Sequence, residues 1–306
     1  MTFRLPTLVI AAAVLAAAPA AKAAAAPTLA VEKHATTVST YRDAIAWSSY
    51  DAASGTYRLM LDRAGRIAPA AVKPSKTAFD VDLGTSRGGA VIAVYSRGGH
   101  LYQFDVASGK ERKLATAVHG AKLSEPTAMA GRIAFVARSK GHDSLHLRKG
   151  ARGAGAVVYS SPAISDPDLS GTRLAFVTAT GAGTIHRVES LRVQTLNGAS
   201  RTVYQARSGG ANYADIVGPA FAADGTHLFW ARRNIGAGSG NRYVRLTLSS
   251  GKLAYAIGTD KLYSASWIGA ADGYATALIG ADDDASAPGD GVTVGTTGPL
   301  AFTARP

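Results

Sequence analysis

The chain has 306 residues, of which 47% are hydrophobic and only 18% charged, with 34 glycines and no cysteine. The apolar share is enough for a sizeable core, and the lack of cysteine excludes disulfides, thiolate metal sites, a cysteine nucleophile and an acylated lipoprotein anchor. The formal net charge of +12 favours polyanions in general; because the Lys and Arg residues are scattered through turns instead of forming a run, no nucleic-acid partner is expected.

Residues 1–23 read as a cleavable signal peptide. Arg4 gives a short positive start, Leu5 to Ala18 is apolar and uncharged, and Ala21-Lys22-Ala23 fits the small-x-small cleavage rule with Ala24 as the new N-terminus. The apolar span is shorter than the ~20 residues of a membrane-crossing helix. The expectation is an extracytoplasmic protein (secreted, periplasmic or cell-wall associated) with no transmembrane segment after signal removal, acting as a monomer.

From about residue 35 one β-rich unit recurs. Its marker is an apolar triplet: Ile45-Ala46-Trp47, Ile92-Ala93-Val94, Ile133-Ala134-Phe135, Leu174-Ala175-Phe176, Leu228-Phe229-Trp230 and the degraded Tyr274-Ala275-Thr276. The start-to-start intervals are 47, 41, 41, 54 and 46 residues. Gly-containing turns such as Gly131-Arg132, Gly171-Thr172 and Asp224-Gly225 precede the triplets and supply the positive φ of a tight hairpin. After each triplet comes an alternating strand, as in Tyr57 to Leu61, His100 to Val106, Ser190 to Leu196 and Tyr243 to Leu248, whose period of two puts the apolar side chains on one face.

A lone four-stranded sheet exposes two apolar faces and two edges; radial stacking buries the faces and ring closure leaves only short edges. A repeat of 40–50 residues in an all-β chain therefore predicts propeller blades. The fold class expected is all-β: residues 24–306 as a single six-bladed β-propeller of four-stranded antiparallel blades. Closure is expected from Leu29-Ala30-Val31 as the outermost strand of the last blade, with C-terminal strands from Val292-Thr293-Val294 and Leu300-Ala301-Phe302.

The segments Pro219 to Trp230, Asp168 to Phe176 and Glu125 to Phe135 carry a Pro or Asp, a turn glycine and the triplet in a fixed order. This pattern resembles the TolB-type propeller repeat, a relative of the WD-repeat propellers, although no copy holds the full Ser-Pro-Asp-Gly of that repeat. The resemblance covers most of residues 36–280 and implies the fold. Only a few residues separate the signal segment from the first unit, so the N-terminal α/β domain that accompanies the propeller of periplasmic TolB is not expected.

No residue set points to catalysis. Gly236-Ala237-Gly238-Ser239-Gly240 lacks the G-x-S-x-G spacing and reads as a hairpin loop. Ser249-Ser250-Gly251-Lys252 matches S-x-x-K, but Ala107-Ser108-Gly109-Lys110 repeats it in another unit, which marks turn chemistry. His142 and His146 are four apart on a predicted strand, a span of ~13 Å that is too long for one ion. Asp282, Asp284 and Ser286 match the first alternating oxygens of a calcium loop, but Ala287 and Thr293 stand where a Gly and a bidentate Glu belong, so calcium is a weak candidate and no other cofactor is expected. Asp80 with Asp82, and Asp166 with Asp168, share strand faces, with Asp166-Pro167-Asp168 expected to end its strand before a turn. Such pairs, together with His227, would serve a glycan hydrolase or lyase only if they met at the ring axis. Arg232-Arg233-Asn234, with Arg242 opposite, is expected as a basic inserted loop that contacts a partner. The reading is a non-enzymatic scaffold that binds a protein or envelope polymer; the alternative is an extracellular enzyme with its site in the central channel.

Overall fold

In the computed structural model the chain is described over residues 28–32, 37–114, 118–150, 153, 155–181, 186–209, 213–222, 224–235, 242–256, 268–271, 274–277, 292–295 and 302–303. The signal segment, Gly236 to Gly240, and Asp282, Asp284 and Ser286 lie outside the described residues.

An initial strand, β1 (Thr28–Glu32), is followed by five antiparallel sheets, each laid down in chain order. Blade one is β2 (Val38–Tyr41), β3 (Ala44–Asp51), β4 (Thr56–Arg63) and β5 (Arg66–Pro69). Blade two is β6 (Asp80–Thr85), β7 (Val91–Arg97), β8 (His100–Asp105) and β9 (Glu111–Lys113). Blade three is β10 (Lys122–Met129), β11 (Arg132–Ser139), β12 (His142–Lys149) and β13 (Ala156–Ser161). Blade four is β14 (Ile164–Ser170), β15 (Arg173–Thr180), β16 (Val188–Thr195) and β17 (Ser200–Arg207). Blade five is β18 (Tyr213–Phe221), β19 (His227–Ile235), β20 (Arg242–Thr247) and β21 (Lys252–Ala256). The remaining strands are β22 (Ile268–Ala271), β23 (Tyr274–Ala277), β24 (Val292–Gly295) and β25 (Phe302–Thr303). No helix of the described residues is long and apolar enough to cross a membrane.

Successive blades touch through their first strands, β2 on β6, β6 on β10, β10 on β14 and β14 on β18, so these strands surround the axis. The expected count of six is corrected: the described residues form five four-stranded blades. Among the described residues the sixth repeat contributes the β22–β23 hairpin, and β22 packs against both β18 and β2. The chain ends do meet, since β1 pairs with β24 antiparallel, but as a two-stranded sheet separate from that hairpin. Phe302 is not in a sixth blade; β25 pairs with β21 and extends the outer edge of blade five.

Packing follows the triplets with one change of register. Ser39, Asp82, Thr127, Asp168 and Ala220 on the inner strands lie opposite Ala46, Val94, Ala134, Ala175 and Phe229. Blade two is thus offset by one residue from the triplet read in the sequence: its true unit is Ala93-Val94-Tyr95. A slip of one residue exchanges the faces of a strand. With the corrected register the third position is aromatic in every blade: Trp47, Tyr95, Phe135, Phe176 and Trp230, all buried. From blade two onward this aromatic packs towards the preceding blade, while in blades two to four the residue before it, Val94, Ala134 or Ala175, packs towards the next. Trp47 instead packs with Leu29 and Ala30 of β1, and its indole Nε1 donates to Glu32 Oε1 at 2.8 Å. Each of these interblade layers therefore sets the aromatic of one blade against apolar residues of the blade before it.

Candidate functional site

The inner strands carry a repeated polar latch. Ser39 Oγ accepts the backbone N–H of Leu83 at 2.8 Å, Asp82 Oδ2 that of Ala128 at 3.1 Å, Thr127 Oγ1 that of Leu169 at 3.1 Å, and Asp168 Oδ2 that of Phe221 at 2.6 Å. Each side chain satisfies an inward N–H of the following blade, a group that would otherwise be buried without a partner. The series stops at blade five, where the equivalent position is Ala220.

A second tier lies one turn of the pleat away. Asp80 Oδ2 accepts from the Glu125 N–H, and Glu125 Oε2 accepts from the Asp166 N–H at 2.7 Å. Glu125 and Asp166 both precede a proline and both adopt positive φ, 47° and 49°; Gly218 before Pro219 does the same at 54°. At these points β10, β14 and β18 each bulge. The proline withholds an N–H and the bulge turns the preceding residue out of the ladder towards its neighbour. Asp166-Pro167-Asp168 accordingly lies inside β14 and does not end it, because the strand continues to Ser170.

Asp80, Asp82, Glu125, Asp166 and Asp168 thus gather along the axis of blades two to four. Burial is the main force on all five. It raises Asp80 and Asp82 to about 6, and Glu125, Asp166 and Asp168 to about 7. Repulsion between Asp80 and Glu125, between Glu125 and Asp166, and between Asp82 and Asp168 adds to it. Arg138 opposes it: its guanidinium is paired with Glu125, reaches Asp143 at 2.9 Å and donates through Nε to Ser124 Oγ at 2.9 Å. Further round the ring, Arg187 pairs with Glu189 and lies 3.7 Å from Asp215, while Glu189 Oε2 accepts the Ile216 N–H at 2.5 Å.

Of the residues singled out by sequence, the four aspartates do converge. His227 does not join them; its ring meets Thr226 Oγ1 at 2.7 Å at the start of β19. Glu125, Arg138, Glu189 and Asp215 escaped the sequence reading. The usable signal was a proline after Glu125 and Asp166 at matching places in the repeat. Among the described residues no group of three or more His, Asp or Glu has the arrangement of a metal site. His142 and His146 lie on β12, and the His146 ring stacks on Phe135 with centroids 5.1 Å apart. Ser249 to Lys252 forms a turn with Gly251 at φ 69°, matching Gly109 at 69° in blade two.

The basic segment Arg232-Arg233-Asn234 is not a loop. It continues β19, with Asp215, Ile216 and Ala214 opposite Arg233, Arg232 and Asn234. The apolar run Leu228 to Ala231 that precedes it carries the strand through it. Arg242 on β20 lies directly opposite Arg232, and Tyr204 of blade four hydrogen-bonds Arg232 while its ring packs on Trp230 at 5.1 Å.

No family model matches this sequence, and no curated protein matches it. Solved structures do. A putative TolB from Agrobacterium tumefaciens is 12% identical with a TM-score of 0.54, over 72% of this chain and 76% of its own. TolB from Acinetobacter baumannii is 12% identical with a TM-score of 0.52, over 86% of this chain and 65% of its own.

The fold is a TolB-like β-propeller.

A puromycin-hydrolyzing peptidase from Mycobacterium tuberculosis shares the fold at 13% identity and a TM-score of 0.50, with 80% of this chain matching 49% of that one. At such identities the likeness fixes the TolB-like architecture and leaves function to the residues themselves.

Proposed function

We propose that this TolB-like propeller is an extracytoplasmic, non-enzymatic scaffold that binds a protein or an envelope polymer. The observation that carries this reading is the use to which the axial acids are put. Asp80, Asp82, Glu125 and Asp168 each accept a backbone N–H from the adjoining blade, and Asp166 bonds to Ser165. The first four serve ring assembly, and a general acid or base needs a carboxyl free to exchange its proton with substrate.

One observation favours a second reading. Carboxyls raised to about 7 beside an arginine are what a catalytic acid would need at neutral pH. The two readings separate on one assay: mature protein is incubated with acidic and neutral glycans and with peptides, and products are sought by mass spectrometry. The scaffold reading expects no turnover. Turnover that Asp166→Asn abolishes, with folding intact, overturns it. Export is tested by cell fractionation with N-terminal sequencing, where Ala24 is the expected first residue. Calcium at Asp282, Asp284 and Ser286 is tested by melting in excess calcium and in chelator; equal melting temperatures dispose of it.

A further inference from the structure

Two clefts open side by side on the rim that carries the turns between first and second strands. The larger, about 480 Å³, lies between blades three and four; the smaller, about 230 Å³, between blades four and five. Thr195 at the end of β16 lines both, so they adjoin. The larger falls within the ~300–1,000 Å³ of small-molecule sites.

The clefts repeat one polar design. Arg132 opens β11 and its Nη1 donates to the Gly171 carbonyl of the next blade at 3.2 Å. Arg173 opens β15 and its Nη1 donates to the Gly225 carbonyl of the next blade at 2.7 Å. Each guanidinium is thereby held across an interblade gap with one of its five donors engaged among the described residues. A second cation stands in each cleft: Lys149, cross-strand from Arg132, and Arg201 on β17. Like charges directly opposite on a sheet are unfavourable, and among the described residues no Asp or Glu lines either cleft. Thr172 and Asn197 add uncharged hydrogen-bonding groups to the larger cleft, and Leu147 and Val158 give it an apolar wall.

We infer that these two clefts bind consecutive acidic units of a carboxylated polysaccharide. A fixed arginine and a second cation per cleft match one carboxylate per unit. The threonine and asparagine groups suit sugar hydroxyls. No aromatic side chain lines either cleft among the described residues, so the stacking platform that single-stranded nucleic acid requires is missing. Two clefts sharing a wall favour a chain over a single sugar through effective concentration. This inference rests on the scaffold reading and names the polymer class it would hold.

The test is calorimetric binding of the mature protein to polygalacturonate, with galacturonic acid, dextran and a single-stranded oligonucleotide alongside. Polygalacturonate is expected to bind, with the monosaccharide weaker by about 100-fold and dextran not binding. The exposed pair Lys149→Glu/Arg201→Glu is expected to weaken binding at least about tenfold with an unchanged melting temperature. Should that variant destabilise the fold, Lys149→Gln/Arg201→Gln is read instead, with weakening again expected. Wild-type affinity in the variant that keeps the melting temperature overturns the inference, as does dextran or the oligonucleotide binding as tightly as polygalacturonate. A protein that captures an envelope partner but ignores polygalacturonate leaves the scaffold reading standing and sinks this one; a protein that binds and also cleaves the polymer does the reverse.

Discussion

Asp168 Oδ2 accepts the backbone N–H of Phe221 at 2.6 Å, which fastens blade four to blade five at the ring axis. Removing the acceptor leaves a buried donor without a partner. Asp168→Ala is expected to cost about 1–3 kcal/mol, measured by chemical denaturation. Asp168→Asn keeps an acceptor oxygen and is expected to cost less. Equal losses in the two variants would show that charge, not the latch, is what the site needs.

The axial acids make stability depend on pH. Asp80 and Asp82 titrate at about 6, and Glu125, Asp166 and Asp168 at about 7, against ~4 in an unfolded chain. Between about pH 4 and 7 the folded state therefore holds more protons than the unfolded one, and stability falls as pH rises through that window. The melting temperature is expected to be higher at pH 5 than at pH 8. Asp51, Asp105 and Asp224 are shifted downward by hydrogen bonds from neighbouring turn residues, so their contribution changes in acid, below this range. A flat profile from pH 5 to pH 8 would contradict the assignment.

Gly84 lies where the backbones of blades two and three approach closely. A Cβ there would sit 1.7 Å from the Ala128 carbonyl oxygen. Gly84→Ala is expected to destabilise by more than about 3 kcal/mol, since the obstacle is backbone and cannot rotate away. At Gly88 the nearest atom would be Ser86 Oγ at 3.9 Å, and Gly88→Ala should lie within ~0.5 kcal/mol of wild type. Thermal melts of the two variants provide the comparison.

Trp47 and Trp230 occupy the same place in blades one and five but differ in their indole nitrogens. Trp47 Nε1 donates to the buried Glu32, whereas the buried Trp230 Nε1 has no acceptor among the described residues. Trp47→Phe strands a buried carboxylate and should cost about 1–3 kcal/mol more than Trp230→Phe. It should also release β1, seen as faster proteolysis near residue 32. Similar losses in both variants would mean that ring volume alone matters.

Much of the blade architecture was legible because it is local. Glycine turns, strand alternation and a recurring apolar triplet are short-range features whose physics repeats in every unit. The offset in blade two was not legible: Ile92-Ala93-Val94 and Ala93-Val94-Tyr95 are both apolar triplets, and only pairing with Asp82 selects between them. The basic stretch at Arg232 and Arg233 misled for a related reason, since charge alone suggested a loop and backbone pairing with Ile216 and Asp215 makes it strand.

The sequence by itself determined an all-β repeat and its turns, because periodicity and turn chemistry act over a few residues. The tertiary structure decided how many repeats complete a four-stranded blade: five among the described residues, with the sixth repeat forming the β22–β23 hairpin between β18 and β2. It also decided what surrounds the paired aspartates. Read along the strand, Asp82 and Asp168 only share faces with Asp80 and Asp166; the fold places the N–H groups of Ala128 and Phe221, 46 and 53 residues further on, beside their carboxylates. A carboxylate's role depends on what surrounds it in space, and that is set by ring closure.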